Sequence, residues 1–500
     1  MNIHASIEAL LSEDARAFLA EQKRMLIGGE WRDAESGETF DTVDPATDAL
    51  ICKVAHAGPA DVDRAARTAQ QALEGDWARF TPAEREAAIR RFADLVEQNS
   101  ELIGQIESLD SGKPAAHIKF VDVPLSVGAL RYNAGFPSKL QGDTLPVTQP
   151  DMHVYTRREP IGVVGAIVPW NFPVCQACFK LAPALAAGCT VILKPAEQTP
   201  LSAIILGELA LEAGIPPGVI NVLPGHGETT GQAIVDHPGI HKIAFTGSEP
   251  VGKMIAARGA AHLKHVSLEL GGKNPNIIFA DSDIEAAAAT AAMAIFFYSG
   301  QVCTAGSRLL VEEKVYDRVA DIVLAEAGKV AVGHGLRAET TMGPLVSADQ
   351  LRRVSDYVQS ARSDGVEVTY GGNRCGGDLA AGHFLEPTVL ANVPDESRVA
   401  REEIFGPVLA MQSFKDTDDL VRRANATTYG LAAGIWTHDL RKAHRTAAAL
   451  QAGTVWVNTY NQFDAAAPFG GYKASGYGRD NGMAGIDKYL QTKAVWVNYG

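Results

Sequence analysis

The sequence predicts an α/β protein in which two domains, each built on a parallel sheet, follow one another along the chain. Two observations carry that expectation. A strand, break and helix rhythm starts near residue 160 and resumes after residue 275, and the 500-residue, 46% hydrophobic chain exceeds what one core organises. Single cores stop growing near ~250 to 300 residues, so the chain divides.

The first set of apolar runs is IGVVGAIVPW (161–170), TVILKP (190–195), VINVLPG (219–225) and KIAFTGS (242–248). They are short and continuously apolar, as strands covered on both faces are. Alanine- and leucine-rich stretches with helical spacing separate them. After the GGKNP turn (271–275) come NIIFA, a helix-like DIEAAAATAAMAIFFY, RLLVEEK and later GTVWVNTY. Two segments stand outside this rhythm. MHVYTRRE (152–159) and AVWVNY (494–499) read as strands without a local partner. Each exposes an edge unless another subunit or a remote element covers it, and mutual pairing within one chain is the alternative.

A formal net charge of −14 and the lack of a long basic run argue against nucleic acid or an anionic membrane as partner. Residues 1–20 carry early acids and no sustained apolar run, which predicts neither a targeting peptide nor an anchor. No stretch is long and apolar enough to span a bilayer. Six scattered cysteines do not make a disulfide framework, and a reducing cytoplasm suits them.

Cys303 lies in GQVCTAGSR (300–308), a small-residue loop between the alanine-rich helix and a strand. A thiol becomes a good nucleophile at neutral pH only in an electropositive or dipole-rich setting. A lone loop cysteine is more often a packed residue than a nucleophile. Glu269 ends an apolar run in SLELGGKNP (267–275), where a carboxylate is out of place as core filling. Partial desolvation there raises its pKa and suits a general base, and the plainer reading is a salt-bridged acid at a strand end. Asn171, in VPWNFP (168–173), is pinned between Trp170 and prolines, where a fixed amide N–H stabilises an oxyanion or simply satisfies a turn.

VPWNFP, LKPAEQTP, FTGS, LELGGKNP, GQVCTAGSR, EEIFGPV and PFGGYKASGYGR, in this order between residues 168 and 479, resemble the aldehyde dehydrogenase superfamily over nearly the whole chain. The match is nearest to its NAD-dependent, broad-specificity, tetrameric class. The resemblance implies two doubly wound parallel-sheet domains: a Rossmann-like NAD-binding domain (1–140 and 160–271) and a catalytic domain (272–482). A small β oligomerisation element (141–159 and 483–500) completes the homotetramer. It makes Cys303 the nucleophile, Glu269 the base and Asn171 the oxyanion donor beside the Cys303 N–H. The thiolate adds to an aldehyde, the thiohemiacetal expels hydride to the nicotinamide, and water activated by Glu269 hydrolyses the thioester. The family also implies a proton path from Glu269 through Lys180 to an acid after GYGR. Here that acid is Asp480 rather than the more usual Glu, so its reach to Lys180 is open.

For NAD, the resemblance implies Ser248 and Gly247 of FTGS near the pyrophosphate, at a helix start that favours anions. Glu249 and Pro250 follow instead of the usual Thr-Glu, and a proline in a first helical turn is tolerated. Lys194 and Glu197 correspond to residues at the adenosine ribose, where a carboxylate repels a 2′-phosphate and favours NAD over NADP. Glu403 and Phe405 correspond to residues at the nicotinamide ribose and ring. Ile167, Pro169, Trp170, Phe245 and Leu270 complete the expected cofactor set. Gly225, Gly227 and Gly231 form a GxGxxxG that is spaced unlike the usual phosphate loop. Phe172, Phe179, Phe297, Phe463 and Phe469 correspond to substrate-tunnel positions, which suggests an aromatic or arylalkyl aldehyde such as phenylacetaldehyde. Several of them also suit ordinary core packing.

Asp464, beside Phe463, has no placed role. Cys175 and Cys178 form a CxxC without a second pair at zinc-site spacing, so no metal is expected there, nor at His262 and His265. Rival readings are an aliphatic-aldehyde dehydrogenase, a coenzyme A-acylating relative, which omits the hydrolytic base, a cysteine-dependent esterase, and a non-catalytic protein on the same fold.

Overall fold

A computed structural model describes residues 5–500; residues 1–4, the start of the 1–20 segment read for targeting signals and of the first expected domain, lie outside it. Among the described residues the first sheet has eight strands. Its parallel centre runs in the spatial order Ile220–Val222, Thr190–Lys194, Val163–Ile167, Lys242–Thr246 and His265–Glu269. These are the apolar runs read from the sequence, and every residue of the three middle strands is buried. Met25–Ile27 joins one edge antiparallel, with Glu30–Arg32 beyond it.

The chain reverses its direction of strand addition at Val163–Ile167, which has Thr190–Lys194 on one side and Lys242–Thr246 on the other. Ligands in open α/β sheets bind in the crevice outside the strand carboxyl ends at such a switch point. The registers Ile167↔Lys194, Phe245↔Ile167 and Thr246↔Glu269 bring these residues to that one edge.

The second sheet, of seven strands among the described residues, runs Glu367–Tyr370, Thr388–Ala391, Val408–Phe414, Arg308–Glu312, Pro275–Ile278, Ala432–Trp436 and Thr454–Val457. Its pairings are parallel except at Glu367–Tyr370. The chain does not keep the two sheets wholly separate. Gly476–Tyr477, within the segment expected to be purely catalytic, pairs antiparallel with Leu268 and Glu269 of the first sheet.

The two segments that lacked a local partner pair with each other. Leu490–Asn498 runs antiparallel to Met152–Pro160 from Leu490↔Pro160 to Asn498↔Met152, and Thr144–Leu145 adds a short third strand. The remote-element alternative therefore holds within one chain. The reason is sequence separation: partners more than 300 residues apart leave no turn signal to read. Leu490–Asn498 is the outer strand of this sheet, so one of its edges stays unpaired. No helix among the described residues is long and apolar enough to cross a membrane.

Candidate active site

A cleft of about 350 Å³ opens where the carboxyl edge of the first sheet meets the amino edge of the second. The first sheet contributes Pro169, Trp170 and Asn171 after one strand, Thr246, Gly247 and Ser248 after the next, and Leu270 and Gly271 after a third. The second contributes Cys303, Glu403, Phe405 and Tyr429, each a few residues ahead of a strand.

The loop that carries Cys303 has an unusual backbone. Helix Ile284–Phe296 ends, and Tyr298, Ser299 and Gly300 then adopt φ of 49°, 53° and 67° in succession. Left-handed residues other than glycine cost of order 1 kcal/mol or more and persist where the surroundings enforce them. Here Ser299 Oγ donates to the Gly343 carbonyl at 2.7 Å, and Tyr298 is fully buried. A Cβ on Gly300 would lie 2.0 Å from the Gly406 carbonyl oxygen, so only glycine fits. Asn274 Nδ2 donates to the carbonyls of Cys303 (2.8 Å) and Ala305 (3.0 Å), and Tyr460 Oη donates to that of Thr304 (2.9 Å). The thiol is thus held on a rigid loop.

Its side-chain surroundings are not electropositive. Burial, then the Glu403 and Glu269 carboxylates, push the Cys303 thiol up to about 12, against the local backbone N–H groups. The setting expected to favour thiolate does not come from neighbouring cations.

Asn171, 5% exposed, donates from Nδ2 to the Gln301 carbonyl at 2.8 Å. Gln301 is itself buried, and its Oε1 accepts from the Val346 N–H at 3.0 Å. This fixes the amide plane, and an amide nitrogen has a second hydrogen to donate. Glu269 is 5% exposed, and its Oε2 has no hydrogen-bond partner among the described residues. Burial, then Asp480, raise its pKa well above the usual carboxylate range, opposed by Lys488, Lys180 and Arg479. A buried carboxyl of raised pKa with a free oxygen suits proton abstraction.

Lys180, on helix Pro173–Ala187, is buried and lies 3.3 Å from Asp480 Oδ2, so the shorter acid does reach it. Asp480 also meets Lys488 through Oδ1. Sequence reasoning missed Lys488, along with Gln301 and Asn274; of these Gln301, inside GQVCTAGSR, and Asn274, inside GGKNP, stood in quoted motifs.

The glycines of ELGGK admit the second sheet. A Cβ on Gly271 would fall 2.1 Å from Glu403 Oε2, and one on Gly272 would fall 2.6 Å from the Cys303 carbonyl oxygen. Glu403 accepts from the Gly272 N–H at 3.0 Å, and burial lifts its pKa to about 7. The Phe405 and Trp170 rings meet edge-on at 5.2 Å.

The residues fit a dinucleotide. Helix Glu249–Ala261 starts after Ser248 with no side chain bonding its first N–H groups, and Pro250 occupies its first turn as expected. Free N–H groups at a helix start receive phosphate. Lys194 and Glu197 pair at 3.0 Å; burial works against the Glu197 charge, but Lys194, with a backbone N–H and then His226, outweighs it and holds Glu197 below its ordinary pKa. Ile167, Phe245, Lys194, Glu197, Gly227 and Gly231 lie outside the cleft lining. Gly227–Gly231 is not an open phosphate loop: it forms a π-helical turn that leads into helix Gln232–Asp236.

The aromatic positions fall into linked groups. Phe463 packs edge-on against Phe469 (5.4 Å) and Trp456 (5.7 Å), Phe172 meets Tyr298 (5.9 Å), and Phe297 stacks on His117 (4.7 Å). Phe179 packs in the core with Cys175 and Ala129. Asp464 is a turn residue, its Oδ1 accepting from the Ala466 N–H at 2.8 Å. Burial pushes the Cys175 and Cys178 thiols up, Cys178 to about 12, which makes them inert packing groups. His265 is exposed at a strand start and His262 caps a helix end.

Fold and cleft together are those of a dinucleotide-binding α/β oxidoreductase. The profile of the aldehyde dehydrogenase family matches residues 31–495, and the chain belongs to that family. It is 46% identical to human retinal dehydrogenase 2 over 95% of this chain and 91% of that protein. The NAD+ complex of an aldehyde dehydrogenase from Bacillus cereus superposes with a TM-score of 0.96 at 46% identity, covering 100% of both chains. The indole-3-acetaldehyde dehydrogenase AldA of P. syringae, in complex with NAD+ and IAA, gives a TM-score of 0.94 at 44% identity over 97% of this chain and 99% of that one. The protein is an NAD-dependent oxidoreductase that oxidises an aldehyde.

Proposed function

We propose that Cys303 is the nucleophile of an oxidation that passes through a thiohemiacetal and a thioester to the carboxylic acid. The observation that carries this reading is the cleft itself, which gathers Cys303, a fixed Asn171 amide and Glu403 at the switch point of the first sheet. Asn171 Nδ2 and the Cys303 N–H stabilise the oxyanion as the sulfur adds to the carbonyl. Glu269 takes a proton from the water that hydrolyses the thioester, and Lys180 and Asp480 carry that proton away. A thiol as reluctant to ionise as Cys303 needs a positive charge brought to it. NAD, when bound, supplies the hydride acceptor and that cationic ring.

In this reading the helix start at Ser248, with Gly247, takes the pyrophosphate. Lys194 and Glu197 face the adenosine ribose, with Gly227 and Gly231 on the same side. Ile167, Pro169, Trp170, Phe245 and Leu270 wall the cofactor, while Glu403 and Phe405 orient the nicotinamide ribose and ring. The division into an NAD-binding domain (1–140 and 160–271), a catalytic domain (272–482) and an oligomerisation element (141–159 and 483–500) is supported by the two large sheets and the three-stranded one, although Gly476–Tyr477 crosses from the catalytic segment into the first sheet. We take the protein to be a homotetramer in the cytoplasm; self-association is supported by the unpaired edge of Leu490–Asn498, where Trp496 and Val497 are exposed, with exposed Tyr499 just beyond it.

The substrate is an aromatic or arylalkyl aldehyde, with phenylacetaldehyde as the representative. Phe172, Phe297, Phe463 and Phe469 would line its path, and ring-on-ring contacts favour such a substrate. Steady-state kinetics with NAD and an aldehyde panel test this. kcat/KM is expected to be higher for phenylacetaldehyde than for acetaldehyde, and the reverse order would remove the substrate assignment.

A further inference from the structure

We propose that Lys488 is a positioning residue for the proton route out of the site: it holds the Asp480 carboxylate beside Lys180 and gives that route its outlet to water. The inference rests on Glu269 acting as the base.

The backbone of Asp480 is fixed, because its N–H donates to the Phe469 carbonyl at 2.7 Å and its carbonyl accepts from the Phe469 N–H at 2.8 Å. A side chain one methylene shorter than glutamate therefore has little freedom to extend. Its Oδ2 lies 3.3 Å from Lys180 Nζ, longer than the ~2.7 to 2.9 Å of a strong charge-assisted hydrogen bond. Its Oδ1 is in close contact with Lys488 Nζ. Lys488 follows the short helix Gly482–Asp487, which packs against the helix that carries Lys180. The Lys180 and Asp480 side chains are each 1% exposed, whereas that of Lys488 is 12% exposed, so of the three only Lys488 touches water appreciably.

The groups facing this pair from the neighbouring elements are Lys180, Lys242, Glu269 and Tyr489, with Arg479 beside Glu269 and Cys189 beside Lys242 and Tyr489. Burial works against the Asp480 charge, yet Lys180 and Lys488 overcome it and hold the acid at about 2. Lys242 donates to Ser267 Oγ at 3.2 Å and is brought down to about 7, by burial and then by Lys488. After burial, Asp480 is the largest influence raising Glu269, and Lys488 is the largest opposing it. Without the Lys488 charge, Asp480 repels the Glu269 carboxylate with less opposition, and Glu269 deprotonates only at higher pH. Lys488 thus serves both the reach of Asp480 and the readiness of Glu269.

The test uses Lys488→Met and Lys488→Arg, each alone and combined with Asp480→Glu. The readout is the pH profile of deacylation alone: acetyl-enzyme is formed with 4-nitrophenyl acetate, freed of excess ester, and its breakdown is followed without NAD. Lys488→Met is expected to move the acid limb up by about one pH unit, a roughly tenfold loss on the acid side with little change on the basic side. Lys488→Arg should keep the original limb, whereas Asp480→Glu should leave it displaced in the Met background, since the longer acid reaches Lys180 but returns no positive charge beside Glu269. An unmoved limb in Lys488→Met, or a pH-independent loss that Arg does not recover, would overturn the proposal. If Lys488→Met does not fold, Lys488→Gln is read against the same outcomes. Glu269→Gln is the control: wild-type ester hydrolysis in that variant would remove the base assignment itself, a result distinct from failure of the Lys488 role.

Discussion

Gly470→Ala isolates the second half of the reaction. Gly470 has φ of 156°, and a Cβ built there stands 2.6 Å from Glu269 Oε1, 2.8 Å from the Gly478 carbonyl oxygen and 3.0 Å from Arg479 Cδ. The first contact is roughly 0.8 Å short of ordinary van der Waals separation, and the Gly478 oxygen belongs to backbone and yields little, so the Glu269 carboxylate has to move. A misplacement near 1 Å in a reacting group costs about 10²-fold, or about 2.7 kcal/mol of barrier. The loss falls on thioester hydrolysis alone, because Cys303 and Asn171 are anchored through Gln301, Asn274 and Tyr460, none of which the new methyl meets. Stopped-flow absorbance at 340 nm is therefore expected to give a stoichiometric NADH burst at near wild-type rate, followed by a steady state about 10²-fold slower. A burst that slows in step with the steady state, or an unchanged steady state, would refute the placement of Glu269 as the deacylating base.

Asn171→Ala removes an oxyanion donor that is already oriented by Gln301, and kcat is expected to fall by about 10² to 10³, read by steady-state NADH formation with the circular dichroism spectrum unchanged. Since burial and two carboxylates push the Cys303 thiol up to about 12, thiolate is scarce at neutral pH; alkylation of Cys303 by iodoacetamide in the cofactor-free enzyme is expected to climb roughly tenfold per pH unit through the neutral range, as peptide mass spectrometry reports. Adding NAD should speed that alkylation at constant pH. Glu197→Gln removes the carboxylate paired with Lys194, so the ratio of NADP to NAD affinity measured by calorimetry is expected to rise, through tighter NADP binding as well as weaker NAD binding.

Much of the fold was legible because it is written locally. The strands of the first sheet are continuous apolar runs bounded by Pro and Gly, and the motif residues sit at their carboxyl ends, where a parallel sheet presents its ligands. Asn171 and Ser248 lie in the cleft for that reason, while Cys303 and Glu403 enter it from the amino ends of strands in the second sheet. What could not be read depends on distance along the chain. Leu490–Asn498 finds Met152–Pro160 across more than 300 residues, and the reach of Asp480 to Lys180, which the family pattern left open, spans 300. Lys488 was invisible for another reason: a lysine near the chain end has the pattern of a solvated charge, and only the fold turns it onto a buried carboxylate. The electrostatics of Cys303 were equally beyond the sequence. Its loop is rich in small residues and carries no charge of its own near the thiol, and the carboxylates of Glu403 and Glu269 come to it from two other segments. The glycine pattern at Gly225, Gly227 and Gly231 was ambiguous because its spacing suits a helical turn as well as a phosphate cradle, and Gly227–Gly231 forms the turn.

The most direct test is to trap the acyl group. Glu269→Gln enzyme mixed with NAD and phenylacetaldehyde, quenched in acid and digested, is predicted to carry a phenylacetyl thioester on the peptide containing Cys303, labile to hydroxylamine and missing in a Glu269→Gln/Cys303→Ala double variant. A modified peptide elsewhere in the chain, or aldehyde oxidation that continues at the wild-type rate in Cys303→Ala, would contradict the assignment of this sulfur as the nucleophile.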